Sequence, residues 1–173
     1  METKESVLEL VNFNIIDTSC RYIPFPSSHN KDKSNQNQLP VIIDFEVKIN
    51  REDRVFLIFL STTINPKNDP GYFADVESVG VFRINQEIND NEEFGLIHFS
   101  GLQICIANVR SFIGNITSYY PAGRFLFHSI DLRDLVEKKV KIEKEKERKA
   151  VTDAKAEAEE TGSNKPAPIE QAE

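Results

Sequence analysis

Cysteine and histidine are scarce in this chain, and the scarcity removes several kinds of chemistry at once. The 173 residues contain two cysteines and three histidines. Cys20 and Cys105 stand far apart, with no second Cys or His at ligand spacing, and His29, His98 and His128 are scattered. A structural zinc site needs about four nitrogen or sulfur ligands, so no metal is expected. The two thiols read as small hydrophobes rather than as a disulfide. Glycine-rich phosphate loops, Gly-x-Ser-x-Gly elbows and His-Glu-x-x-His helices are missing too. The expectation is a chain that is not an enzyme and carries no cofactor.

Positive charge is also in short supply. Lys and Arg total 21 against 28 Asp and Glu, a net charge of -7. Affinity for a phosphate backbone comes mainly from Lys and Arg, which argues against a nucleic-acid partner. The basic cluster from Lys138 to Lys149 is interleaved with Glu143, Glu145 and Glu147, which cancels most of its field. No uninterrupted apolar run approaches the ~20 residues of a membrane span. The start, Met1-Glu-Thr-Lys-Glu-Ser, lacks the basic and apolar regions of a secretory signal. A cytoplasmic protein without membrane insertion is expected.

What the chain does have is a run of strands followed by helices. Val7 to Asp17 alternates well enough for a strand, with Val7, Val11, Phe13 and Ile15 on one face and Leu8, Leu10 and Ile16 on the other. From Thr18 to Gln38 the composition predicts a long mobile loop, apolar at first (Tyr22-Ile-Pro-Phe-Pro) and polar from Ser27. Val41 to Ile49 has the period-two pattern of a strand with one covered and one wet face. Asn50-Arg-Glu-Asp then predicts a hairpin into Arg54 to Ile64.

That third strand is apolar on both faces, with Val55, Leu57 and Phe59 on one and Phe56, Ile58, Leu60 and Ile64 on the other. If helices form one layer, the second face calls for another subunit or a ligand. Tyr72 to Asn85 predicts a fourth strand, with Gly80 as a bulge or a close backbone contact. Hairpin-length links imply an antiparallel meander.

Ser100 and Gln103 have capping-box spacing for a helix whose Leu102, Cys105, Ile106, Val109, Phe112, Ile113 and Ile116 make one apolar stripe. Gly114 lies off the stripe, and Ile104 lies opposite it. Pro121 and Gly123 end the helix. Arg124 to Ile130 predicts an extended strip over a surface, and Asp131 caps a last helix. Alternating Lys and Glu predict a solvated helical extension over residues 137–160. The Ala, Glu, Lys and Pro of 161–173 predict a disordered acidic tail. Asp75 and Glu77 sit at i, i+2 on one strand face, more consistent with an acidic patch for a partner than with a catalytic pair.

This order of elements resembles SecB, the bacterial export chaperone, and its SecB-like relatives, from Leu8 to about Val136. The resemblance rests chiefly on Tyr72-Phe-Ala-Asp-Val-Glu-Ser-Val-Gly-Val-Phe-Arg-Ile and Asn108-Val-Arg-Ser-Phe-Ile-Gly-Asn-Ile-Thr. Ile130-Asp131 stands where the family has an Asn-Phe pair, and Asn108-Val109 where it has Pro-Tyr. The resemblance implies an α+β fold over residues 1–136: a four-stranded antiparallel sheet, a long amphipathic helix and a second C-terminal helix. It also implies a homo-oligomer, a dimer of dimers, that holds unfolded client polypeptides without ATP.

Client-binding candidates are Tyr22, Ile23, Phe25 and Ile104, lining a groove between the first helix and the Tyr22-Ile-Pro-Phe-Pro segment. In the export chaperones an acidic sheet face receives the basic tail of the translocase motor SecA. Asp75 matches that face, with Glu77 beside it and Asn12 and Asp17 on the first strand. Two alternatives stand beside export. One is a chaperone dedicated to an antitoxin, and the other is a non-enzymatic structural or adaptor protein docking through its charged tail.

Overall fold

The computed structural model describes residues 6–25 and 39–162. The polar run Ser27–Gln38, with His29, and the predicted tail from residue 163 onward lie outside the described residues. The chain divides between Leu132 and Arg133 into two units. The first holds a four-stranded antiparallel sheet of β1 (Leu8–Ile23), β2 (Val41–Asn50), β3 (Val55–Ile64) and β4 (Gly71–Ile84). Helices α1 (Asp90–Gly95) and α2 (Leu102–Thr117) follow, joined by a π-helical segment, Leu96–Gly101. The charged helix α3, Leu132–Gly162, begins at the last residue of the first unit and makes up the described part of the second.

The strand order is β1-β4-β3-β2, so the sheet is not the meander that short links implied. Strands β2, β3 and β4 are consecutive neighbours, but the connection after β1 is long enough for β1 to pair with β4 instead. It also runs further than its sequence pattern, to Ile23, because β4 offers partners as far as Gly71: Cys20 faces Ala74 and Tyr22 faces Tyr72.

Two register shifts, between Leu10 and Asn12 and between Ile15 and Asp17, break the strict alternation of β1. Each inserts one residue and switches which side chains face the core. The residues opposite the buried side of β4 are Leu8, Leu10, Phe13, Ile15, Thr18, Cys20 and Tyr22. Simple period-two counting had put Leu8 and Leu10 on the opposite face from Phe13 and Ile15.

On β3 and β4 the even-numbered residues are buried. Phe56, Ile58, Leu60, Ile64, Tyr72, Val76 and Phe82 form the sheet side of the core, and the rings of Phe56 and Phe82 stack at 5.3 Å. The helix side is Leu102, Cys105, Ile106, Val109 and Ile113, all buried. Phe112 and Ile116 from the same expected stripe are half-buried.

The helical stretch begins well before Ser100. Asn89 caps it, its side chain accepting from the Glu92 N–H at 2.9 Å, and Ser100 lies inside the π-helical segment. By length and composition the stretch Asp90–Thr117 is apolar enough to cross a membrane. Its stripe is buried on the sheet, which is how a core helix uses the same composition.

Two glycines let the layers meet. A Cβ at Gly80 would lie 2.6 Å from the Cys105 sulfur, and one at Gly101 would lie 2.8 Å from Ile58 Cδ1. Gly80 is thus a close-approach position, while the bulges belong to β1. The β3–β4 turn is held by Asn65, buried at φ 56°, whose Nδ2 donates to Asp69 O at 2.7 Å and Tyr72 O at 3.1 Å.

Burial pushes the Cys105 thiol up from 9.0 to about 12. A raised acid pKa means the folded chain keeps its proton after the unfolded chain has lost it. The neutral thiol's contribution is therefore fully present below pH 9.0 and is lost as pH rises towards 12. Urea denaturation should show stability falling above about pH 9, by up to ~1.4 kcal/mol per pH unit from this group. Cys105→Ala should fall less steeply over the same range. Parallel profiles for the two proteins would remove the thiol from the account.

Candidate functional site

The extended strip Gly123–Asp131 is a strap that runs back along α2. Three hydrogen bonds fix it. Tyr72 Oη donates to Gly123 O, Phe125 N–H donates to Thr117 Oγ1 at 2.9 Å, and Arg110 Nη2 donates to His128 O at 2.8 Å. The Arg110 guanidinium also lies 4.9 Å from the centre of the Phe127 ring. Phe125 and Phe127 turn inward and are buried, whereas Leu126 turns outward and is 49% exposed.

Gly114 is buried rather than outward-facing. A Cβ there would lie 2.9 Å from Arg124 Nε and 3.2 Å from Leu126 Cδ2, so its missing side chain is the space in which the strap lies. Helix α2 therefore has two occupied sides, one on the sheet and one under the strap.

At the C-terminal end of α2 an aromatic nest forms around Tyr72. Its ring meets Tyr22 edge-on at 5.3 Å, Tyr120 edge-on at 6.0 Å and Phe125 at 5.6 Å. Tyr120 Oη donates to Cys20 O at 2.8 Å, tying the end of β1 to the turn after α2. Burial, and then the neighbouring Tyr22, Cys20 and Tyr120, pushes the Tyr72 phenol up, so it is a neutral donor at physiological pH. Near these residues in sequence three apolar side chains are exposed: Phe25 at 39%, Tyr119 at 90% and Leu126 at 49%.

Of the four client-binding candidates, Tyr22 belongs to this nest as a half-buried side chain. Ile23 is half-buried at the end of β1, and Phe25 lies just beyond it. Ile104 is also half-buried, but it sits near the opposite end of α2, roughly 20 Å from Thr117 at 1.5 Å per residue. The structure brings the first three to one end and leaves Ile104 apart. Tyr72, Tyr120, Phe125 and Leu126 were not picked out from sequence. Tyr72 reads there as an ordinary strand residue, and only the β1–β4 register places it beside Tyr22.

The sheet face away from the helices is open. Asp75 and Glu77 are exposed on it, and Thr63 Oγ1 donates to Asp75 Oδ1 at 2.9 Å. The register sets Asp17 beside Glu77, and Asp44 lies in the same row beyond Ser61. Asp17 reaches this face only because the bulge at Ile16 shifts β1 by one residue. Asn12 lies away from the acidic row, beside Val81.

The apolar second face of β3 is only half covered, in part by the Lys48 ammonium 4.9 Å from the Phe59 ring centre. A cavity of about 320 Å³ opens at the hairpin end, lined by Ile49, Phe56, Ile84 and Ile88 and by the Arg54–Glu87 ion pair at 2.7 Å. Among the described residues no three His, Cys, Asp or Glu side chains are grouped to hold a metal ion.

Thr117 joins helix and strap, because its buried Oγ1 donates to Ile113 O at 2.6 Å and accepts from Phe125 N–H. Thr117→Val keeps the shape and leaves that N–H unpaired in the interior, which costs about 1–3 kcal/mol. Hydrogen exchange should accelerate at Phe125 and Phe127 more than in β3 and β4. Uniform acceleration, or none, would show that the strap is held by packing instead.

No protein-family model and no curated protein matches the sequence. Among solved structures the chain is similar to Mycobacterium tuberculosis Rv1957, a SecB-like chaperone, in complex with a ChAD peptide from the Rv1956 HigA1 antitoxin. The match covers 72% of this chain and 88% of that one, at a TM-score of 0.53 and 11% identity. The four-stranded antiparallel sheet with its long helix is a SecB-like fold.

Proposed function

We propose that this chain is an ATP-independent holdase that binds extended apolar segments of non-native polypeptides. The observation that carries the proposal is the exposure of Phe25, Tyr119 and Leu126, each close in sequence to a member of the Tyr72 nest, with the strap pinned by hydrogen bonds. Apolar side chains exposed on a pinned backbone can hold many sequences weakly without reorganising. The SecB-like fold supports the same reading. Rv1957 is solved with an antitoxin peptide, which favours a dedicated antitoxin partner as the second reading. Export through a translocase motor would use the Asp17–Glu77–Asp75 face, and titration with the motor's basic tail is the measurement that decides it.

Purified protein should suppress aggregation of a chemically unfolded substrate without nucleotide, and Tyr119→Ser with Leu126→Ser should weaken that suppression several-fold. Both side chains are exposed, so the fold should survive. Asp75→Lys, on the other side of the sheet, should leave holding unchanged. Absence of suppression for the unmodified chain with every substrate tried would end the holdase reading.

A second copy is the proposed cover for the half-exposed Val55, Leu57 and Phe59. Light scattering should then give a multiple of the 19.7 kDa chain mass at micromolar concentration. A monomer there would leave that face to a ligand or to water.

A further inference from the structure

Helix α3, Leu132–Gly162, divides its charge by halves. Residues 138–149 hold seven Lys and Arg against three Glu, and residues 150–162 hold four Asp and Glu against one Lys. This order opposes the helix macrodipole, which favours acids at the N-terminal end and bases at the C-terminal end. Asp134 does sit in the first turn, but the last turn has no basic residue and holds Glu159 and Glu160. Spacings such as Glu137 with Lys141 support the helix from within. The separation of the two halves does nothing for a lone helix.

Residues 141–146 are exposed on every side of α3, with Ile142 at 49% among them. An isolated helix is marginal in water, and most helices owe their stability to a packed face. The sequence offers α3 a thin one. Val140, Glu143, Glu147, Val151, Ala154 and Ala158 recur at spacings of three and four, which places them on one side. With two carboxylates in so narrow a stripe, burial alone is too weak to hold a partner, and charge has to choose it.

We propose that α3 pairs antiparallel with α3 of a second copy, so that residues 138–149 of each lie along 150–161 of the other. A helix with a basic half and an acidic half complements itself in that orientation, whereas a parallel pair would set like halves together. The overlap runs roughly 36 Å at 1.5 Å per residue. This contact lies beyond Val136, where the sequence resemblance to SecB ends. It depends neither on the holdase reading nor on the cover proposed for β3.

The test places one spin label per full-length chain, at Ala150→Cys or at Lys138→Cys, and reads distances between copies by dipolar electron resonance. Cys20→Ser removes the other accessible thiol, and Cys105 is buried. Position 150 lies at the crossing point, so its two labels should fall within roughly 20 Å of each other, given helix axes about 10 Å apart. The labels at 138 should stand roughly 35 Å apart or more. Reversing the acidic half (Glu157→Lys, Glu159→Lys and Glu160→Lys) should cut the paired fraction about fivefold or more. Reversing the basic half (Lys141→Glu, Lys144→Glu and Lys146→Glu) should do the same, and mixing the two variants should restore the short distance. Lys and Glu have similar helix propensities, and the first set of changes suits the macrodipole better, so loss of signal would not come from loss of the helix. Equal distances at 138 and 150, or no distance between copies at 150, would overturn the antiparallel pair. A short distance at 150 that survives both reversals would overturn charge as its cause.

Discussion

The distance between helix and sheet is the constraint on which the rest of this fold depends, and two glycines set it. Gly80 on β4 admits the Cys105 sulfur, and Gly101 at the start of α2 admits Ile58. An added methyl at either place would fall inside contact distance, and a close-packed core yields little to such pressure. With α2 seated this low, its stripe of Leu102, Cys105, Val109 and Ile113 is fully covered by the sheet. Its remaining surface becomes free for a second task. The π-helical segment ends at Gly101 itself, where a Cβ would lie 2.8 Å from Ile58 Cδ1 and 3.6 Å from Phe56 Cε2.

That second task is to carry the strap. Gly114 repeats on the outer side of α2 what Gly101 does on the inner one, removing a side chain where Arg124 and Leu126 must pass. Thr117, Arg110 and Tyr72 then supply the hydrogen bonds that an extended segment cannot make with itself. The buried Phe125 and Phe127 side chains hold it as well, and Leu126, whose Cδ2 lies over Gly114, stays half exposed. An apolar side chain in water on a rigid support favours binding over collapse, since little conformational entropy remains to be lost on contact.

Much of the architecture was legible in the sequence because it follows local rules. The alternation of β2 and the two-sided apolar pattern of β3 survive in the structure almost residue for residue. The hairpin at Asn50 and the extended strip after Pro121 do as well. What was not legible depended on pairing between distant residues. The two bulges in β1 reverse its parity twice, so period-two counting assigned Leu8 and Leu10 to the wrong side. The break between Leu10 and Phe13 is the sequence trace of the first bulge. The helix start was missed for a different reason: Ser100 and Gln103 have the right spacing for a cap, but Asn89 with Glu92 offers an equivalent one earlier, and the π-helical continuation hides the join. Tyr72 could not be singled out at all, since its place at the centre of the nest comes from contacts with Tyr22, Tyr120 and Phe125.

The same sheet that positions the nest also divides the molecule electrostatically. Alternation along β4 sends Tyr72, Ala74 and Val76 towards the helices and Asp75 and Glu77 away from them. The bulge at Ile16 adds Asp17 to the acidic side, so a local irregularity in one strand concentrates charge on one face. On the other side no carboxylate lies between Glu93 and Asp131, a span that holds α2, Arg110 and Arg124. A layer of paired backbone and buried side chains lies between these two fields, and each face meets solvent separately. Among the described residues of the first unit, the strand period thus puts Asp75 and Glu77 on one side of the sheet and the buried side chains that meet α2 on the other.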